Sequence, residues 1–223
     1  MITVACVYKL APNNGLTAEY VHRLEQNVRE YTTRDFRFVC LTDSEEKFTC
    51  ETIPLMEGLP RQWSKLELFK SHFEGRVIYF DIDTIIVRNI DRLMDYEGDV
   101  AMLHCWRQPH RYASGIMAWN IPLSCVLPSE DERRRIFAGP ECGDQRFISM
   151  KLKAAGHKID YVRDIVNAVS YRWHVLKKYH HVGKPEGAKT WSRCPDSAYG
   201  LPSDADIVCF HGGPRPHEIG WKP

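Results

Sequence analysis

The sequence has no G-x-G-x-x-G behind its first strand-like run, so the dinucleotide fingerprint is absent and a Rossmann dehydrogenase is disfavoured. A mononucleotide held by other means stays open. No apolar run approaches membrane-spanning length, and Met1 to Val7 has neither the basic start nor the long apolar core of a signal peptide. Charge of one sign is not in excess either. Thirty Lys and Arg against 29 Asp and Glu leave +1, so any preference for nucleic acid or membrane has to come from a local patch. The eight cysteines include no C-x-x-C pair. Cys6, Cys40 and Cys209 sit in apolar runs where a thiol packs as a small hydrophobe, which disfavours structural zinc and leads us to expect a reducing, cytoplasmic compartment. What is present is ordinary and globular: 223 residues, 43% hydrophobic, enough to bury a real core.

The order of elements reads as α/β. A strand over Thr3 to Tyr8 runs through a turn-rich loop to a helix opened by Thr17, with Val21, Leu24, Val28 and Tyr31 on one face. Phe36 to Leu41 is a second strand and Thr49 to Ile53 a weaker third, so the unit is βαβ with a parallel sheet. Ser64-Lys65-Leu66-Glu67 matches a capping box, which would put Lys65 in the first turn of a helix, beside amide donors that favour an anion such as phosphate. Val100 to Leu103 is a strand, and His104 to Tyr112 reads as an irregular polar and aromatic loop able to cover a site. Ala113 to Asn120 reads as a small-residue turn into a strand. There Gly115 either admits a close approach of backbone to ligand or marks a β-bulge. Ser129 to Phe137 and a segment opened by Gly143-Asp144-Gln145 are helices, with Asp144 a reasonable cap and Gly156 stopping the second.

The centre of the chain is Arg76 to Val87, an apolar run interrupted by Asp81 and Asp83. Read as one buried strand, it points both acids to the same side, with Ile82 opposite. Carboxylates about 6 Å apart repel by roughly 3 kcal/mol at an effective dielectric near 20, so a cation is expected between them. A divalent ion at the C-terminal end of the strand is the economical candidate. A second signal closes the chain, where the strand Asp206 to Phe210 ends in His211-Gly212-Gly213-Pro214-Arg215. It offers an imidazole ligand, backbone amides open to an oxyanion, and a guanidinium fork for phosphate.

Taken in order, Lys65, Asp81-Ile82-Asp83, Ser114-Gly115, Asp144-Gln145 and His211-Gly212 resemble the GT-A-type glycosyltransferases, especially family 8, the retaining group of glycogenin and bacterial galactosyltransferases. The resemblance covers most of the chain. It implies a single GT-A, Rossmann-like domain over residues 1–223, with a mixed, mostly parallel sheet and a C-terminal lid segment. Residues 1–103 would form the nucleotide-binding half and 104–223 the acceptor half. It further implies a nucleotide sugar, usually a UDP-sugar, with Mn2+ or Mg2+ held by Asp81, Asp83 and His211. Lys65 and Arg215 would contact the diphosphate, Val7 and Tyr8 the base, and Ser114, Gly115, Gly212 and Gly213 the rest of the donor. Asp144 and Gln145 would lie beside the transferred sugar as the catalytic pair. The family ending H-G-x-x-K-P-W appears here with Arg215 for the lysine and His217 for the tryptophan.

Two other readings compete. Asp81-Ile82-Asp83-Thr84 after a strand also looks like the nucleophile motif of haloacid-dehalogenase-type phosphohydrolases, but no later pair of acids completes a magnesium site. The segment from Tyr171 to Arg193 is basic, aromatic and histidine-rich, which would suit a nucleic-acid-binding module. Within the transferase reading the same segment supplies candidate acceptor residues, Arg172, Trp173, Lys177 and Lys178. A polyanion such as DNA bearing a hydroxylated base would suit them.

Overall fold

The computed structural model describes residues 1–10, 15–70, 72–139, 142–175 and 200–220. Lys177, Lys178 and the rest of residues 176–199 lie outside them. In chain order, β1 (Ile2–Tyr8) leads to α1 (Ala18–Glu30), then to β2 (Arg37–Thr42) and β3 (Glu51–Pro54). A 3₁₀ stretch over Arg61–Phe69 precedes β4 (Arg76–Phe80) and β5 (Thr84–Ile86). The short α2 (Asp91–Met94) is followed by β6 (Val100–Cys105) and β7 (Gln108–Trp119). Then come α3 (Glu130–Ala138), α4 (Asp144–Ala154), β8 (Ile159–Tyr161), β9 (Ala168–Ser170) and β10 (Ile207–Cys209).

Seven strands form one sheet in the order β3-β2-β1-β4-β7-β6-β8, and β5, β10 and β9 form a smaller one. In the large sheet only β7 runs against its neighbours, β4 and β6; the other pairs are parallel. Both faces are covered, and the period of two along the strands sorts the core accordingly. Val4, Cys6 and Tyr8 of β1 and Ile78 and Phe80 of β4 join Val21, Leu24 and Val28 of α1 on one side. Ala5, Val77 and Tyr79 join Trp63 and Leu66 of the 3₁₀ stretch and Ile148 and Leu152 of α4 on the other. Ile85, Val169 and Val208 form a third cluster on the small sheet.

Several expectations need correcting. The 3₁₀ stretch starts after Pro60, not at Ser64, and no capping box forms there. Ser64 Oγ donates to the Arg61 carbonyl at 2.7 Å, while Glu67 accepts the Met56 and Glu57 amides at 2.8 and 3.1 Å, so both groups of the supposed box are used elsewhere. His104 to Tyr112 is the tip of a β6–β7 hairpin, with Cys105 paired to Gln108, because these residues find ladder partners across a two-residue turn. Ser114-Gly115 lies inside β7, where the register jumps from Met102↔Met117 to Leu103↔Ala113, and is therefore the bulge that Gly115 allowed. Asp144 is the first residue of α4, behind Gly143 at the cap position.

One carboxylate holds the loop after α1 to α2. Asp91 accepts from Thr32 Oγ1 at 2.6 Å, the Thr33 amide at 2.8 Å and Thr33 Oγ1 at 2.6 Å. Burial works against its charge, but these donors outweigh it and hold its carboxyl well below the usual range. A depressed folded-state pKa contributes stability above the unfolded value, about 3.9, that is lost as pH falls toward the folded one. Asp91→Ala should therefore cost about 2 kcal/mol at pH 7, roughly 4–8 °C in Tm, and less at pH 2.5. Thermal melts of both proteins at the two pH values check it; an equal gap at both would refute the ionic account.

Candidate active site

From β1 the chain winds outward through β2 and β3, then returns to the other side of β1 as β4. The C-terminal ends of β1 and β4 thus lie at a switch point, where open α/β sheets bind ligands. A cavity of about 430 Å³ opens there, lined among others by Lys65, Asp81, Asp83, Ser114, Gly115, Asp144, Gln145, Arg172, Trp173 and His211. Residues far apart in the chain meet because β4, β7, α4 and β10 all end or bend at this edge.

Asp81 continues the face of β4 that carries Val77 and Tyr79. Its Oδ1 accepts from the Tyr79 hydroxyl at 2.5 Å and from Lys65 Nζ at 3.0 Å. Burial and the Asp81 charge push the Tyr79 phenol well above its ordinary range, so it stays a donor. The Gly115 carbonyl accepts the Asp81 amide at 2.8 Å, and a Cβ on Gly115 would stand 3.2 Å from Asp81 Oδ2. The space a side chain at Gly115 would need is thus bounded by a carboxylate.

Lys65 is only 7% exposed, and its ammonium is fully engaged. Besides Asp81 it reaches Ser114 Oγ at 3.1 Å, the Ser114 carbonyl at 3.3 Å and Asp144 Oδ2 at 3.3 Å. Burial would lower its pKa, but Asp81 and Asp144 outweigh that and raise it. Its three N–H donors have four acceptors around them within the protein. Lys65 bridges two acids, and Ser114 Oγ completes the link by donating to Asp144 Oδ2 at 2.6 Å. Gln145, next along α4, is exposed at the cavity wall.

Asp83 lines the same cavity as Asp81, but the two acids sit in a turn and not in one continuous strand. The chain leaves the sheet after Phe80 in a turn closed by the Thr84 amide on the Asp81 carbonyl at 3.0 Å, and re-enters the small sheet as β5. Alternation therefore stops at Asp81. The Asp83 carboxylate, 9% exposed, forms an ion pair with Arg215 Nη1. Burial and the nearby Asp81 push it up to about 7, against the pull of Arg215.

His211 stacks flat on Trp106, with ring centroids 5.1 Å apart and planes 15° apart, and its Nε2 lies 2.6 Å from Ser170 Oγ. Burial, then the Arg172 charge, push the imidazole down to about 4, so it is neutral at pH 7 and able to act as a ligand. Among the described residues no three His, Cys, Asp or Glu side chains are gathered closely enough to hold a metal ion. Each of the three foreseen ligands has a protein partner: Asp81 has Lys65, Asp83 has Arg215, and His211 has Ser170. In kind they nevertheless fit, since two carboxylates and a neutral imidazole facing one cavity suit Mn2+ or Mg2+.

The glycine turn behind His211 is held from the side. Arg172 Nε donates to the Gly213 carbonyl at 2.5 Å, and its guanidinium would lie 3.3 Å from a Cβ on Gly212, whose φ of 77° favours glycine in any case. Further on, His217 hydrogen-bonds the Tyr20 hydroxyl of α1 and meets that ring edge-on, docking the tail on the body. Val7 and Tyr8 stand at the end of β1 but are not among the lining residues. The Tyr8 hydroxyl donates to Glu46 at 3.2 Å, and burial together with Glu46 pushes the phenol up to about 12. Sequence reasoning passed over Trp106, Gln62 and Ser170. Trp106 could have been found, since it sits in the aromatic stretch set aside as a possible cover; Ser170 carried no signal.

The sheet order, the switch-point cavity and the acids at its floor make this the GT-A architecture. No protein-family model matches the chain, and no curated protein matches it in sequence. Solved structures do. The galactosyltransferase LgtC, in complex with donor and acceptor sugar analogues, superposes with a TM-score of 0.61 at 13% identity, over 96% of this chain and 88% of LgtC. An active-site glutamine-to-glutamate variant of LgtC also superposes at 0.61, with 12% identity, over 96% of this chain and 89% of that one. The glycosyltransferase GlyE from Streptococcus pneumoniae TIGR4 reaches 0.50 at 13% identity, over 73% of this chain and 45% of GlyE. At such identities the likeness is one of fold. No helix among the described residues is long and apolar enough to cross a membrane.

Proposed function

We propose that the protein is a glycosyltransferase that moves a hexosyl or pentosyl group, with retention, from a nucleotide sugar, a UDP-sugar, to a hydroxyl acceptor. The observation that carries this reading is the convergence of Asp81, Asp83 and Asp144 with Lys65 and His211 on one switch-point cavity. The LgtC-like fold favours transfer over a phosphohydrolase with Asp81 as nucleophile. Asp81, Asp83 and His211 would hold Mn2+ or Mg2+, which when bound neutralises the diphosphate leaving group. Arg215 would give that diphosphate a bidentate partner, and Gly212 and Gly213 would let the backbone approach it. Val7 and Tyr8 would hold the base at the end of β1. Lys65, held between Asp81 and Asp144, would contact the diphosphate alongside Arg215, and Asp144, with Gln145 alongside, would present a negative wall to the sugar as positive charge develops at its anomeric carbon.

Arg172 and Trp173 line the cavity and begin, in sequence, the basic segment that continues through Lys177 and Lys178, and we assign them to the acceptor. The acceptor that chemistry suits is a polyanion, and DNA with a hydroxylated base is the form we propose. Incubation with a panel of nucleotide sugars and Mn2+, read as release of nucleoside diphosphate, tests the donor half. One sugar nucleotide should turn over clearly faster than the rest, and no hydrolysis of any would overturn the reading. Transfer to a hydroxymethylated oligonucleotide should weaken steeply with added salt and in Lys177→Glu/Lys178→Glu. Salt-insensitive transfer to a neutral sugar would remove the polyanion.

A further inference from the structure

We propose that Arg215 is the resident counter-ion of Asp83 and excludes a divalent cation until a diphosphate gives the guanidinium another partner, so that cation and donor enter together. This rests on the donor reading above. Asp83 is nearly closed off from solvent and Arg215 is 23% exposed, so the pair lies where charges are screened little by water. A guanidinium cannot be neutralised by losing a proton, and it competes directly with a metal ion for the same carboxylate.

The two cations at the cavity floor are both held by its acids, Lys65 by Asp81 and Asp144 and Arg215 by Asp83. The exchange also needs only a side-chain rotation, because the main chain of Arg215 is tied down separately. Its amide donates to Glu218 Oε2 at 2.5 Å, and the Glu218 amide returns to the Arg215 carbonyl at 3.0 Å. Beyond it, His217 is bonded to Tyr20 of α1. Swinging away from Asp83 therefore leaves the tail docked. Arginine also gains geometrically, since a phosphate accepts its fork with two parallel hydrogen bonds.

The test titrates Mn2+ into wild type, Arg215→Met and Arg215→Lys, with and without UDP, following free Mn2+ by its electron paramagnetic resonance signal. Wild type should bind Mn2+ alone weakly and at least about tenfold more tightly with UDP. Arg215→Met, which keeps the stem and drops the charge, should bind Mn2+ alone about tenfold more tightly than wild type and lose most of the UDP enhancement. Arg215→Lys should stay close to wild type in Mn2+ alone. If Arg215→Met does not fold, Arg215→Gln carries the same expectation. Mn2+ affinity in the neutral variants no higher than in wild type would overturn the proposal. If those variants tighten Mn2+ binding while UDP has no effect on wild type, the counter-ion role stands and the nucleotide-donor reading falls.

Discussion

Asp83→Asn should abolish the thermal stabilisation that Mn2+ plus UDP gives the wild-type protein. A ligand at about 100 times its Kd stabilises the folded state by about 2.7 kcal/mol, which in a chain of this size is roughly 5–10 °C in Tm. Asparagine keeps the shape of Asp83 but removes one of the two carboxylates that face the cavity from the turn after β4. The amide oxygen is a far poorer partner for a hard cation. The turn itself should survive, because its hydrogen bond runs from the Thr84 amide to the Asp81 carbonyl and does not use the Asp83 side chain. The variant on its own should therefore melt cooperatively, with a far-UV circular dichroism spectrum like that of wild type, yet gain less than about 1–2 °C from the same additions. Equal gains in both proteins would remove Asp83 from the metal site.

Asp144→Asn should lower turnover by about 10²–10³-fold, the range typical of losing one preorganised electrostatic group. Donor affinity should change little, because the diphosphate contacts assigned to Arg215 and the glycine turn lie on a different wall. The substituted amide oxygen can still accept from Ser114 Oγ, which holds Asp144 now at 2.6 Å, so the side chain should keep its place. What disappears is the charge. Lys65 then loses one of its two anionic partners, and the wall facing the sugar turns less negative. Steady-state kinetics with saturating donor, together with a direct titration of UDP, separate the two quantities. A loss confined to donor affinity, with kcat intact, would move Asp144 away from the reacting sugar and onto the diphosphate.

The α/β class, the βαβ opening and the special standing of Arg76 to Val87 could be read directly from residues, because a strand buried on both faces has to be apolar wherever it is not functional. Two acids in such a run announce themselves, and so does a histidine followed by two glycines at the end of another. The break in the strand at Asp81 to Asp83 could not be read the same way. Alternation is a property of a strand in a sheet, and the stop after Phe80 depends on β5 pairing with β10, more than a hundred residues further on.

Lys65 shows the limit most clearly. Its local sequence matched a capping box, and the pattern S-x-x-E was there, but Glu67 is drawn instead to the Met56 and Glu57 amides by the way the preceding loop folds back. Nothing local showed that β7 and α4 bring Ser114 and Asp144 to its ammonium. The sequence by itself determined which side chains carry charge inside an apolar chain, and hence that a site exists and roughly what chemistry it suits. Only the tertiary structure decided which charge faces which, Lys65 to Asp81 and Asp144, Arg215 to Asp83, Ser170 to His211, because Coulomb pairing and hydrogen bonding act over a few ångströms between residues that the order of the chain leaves far apart.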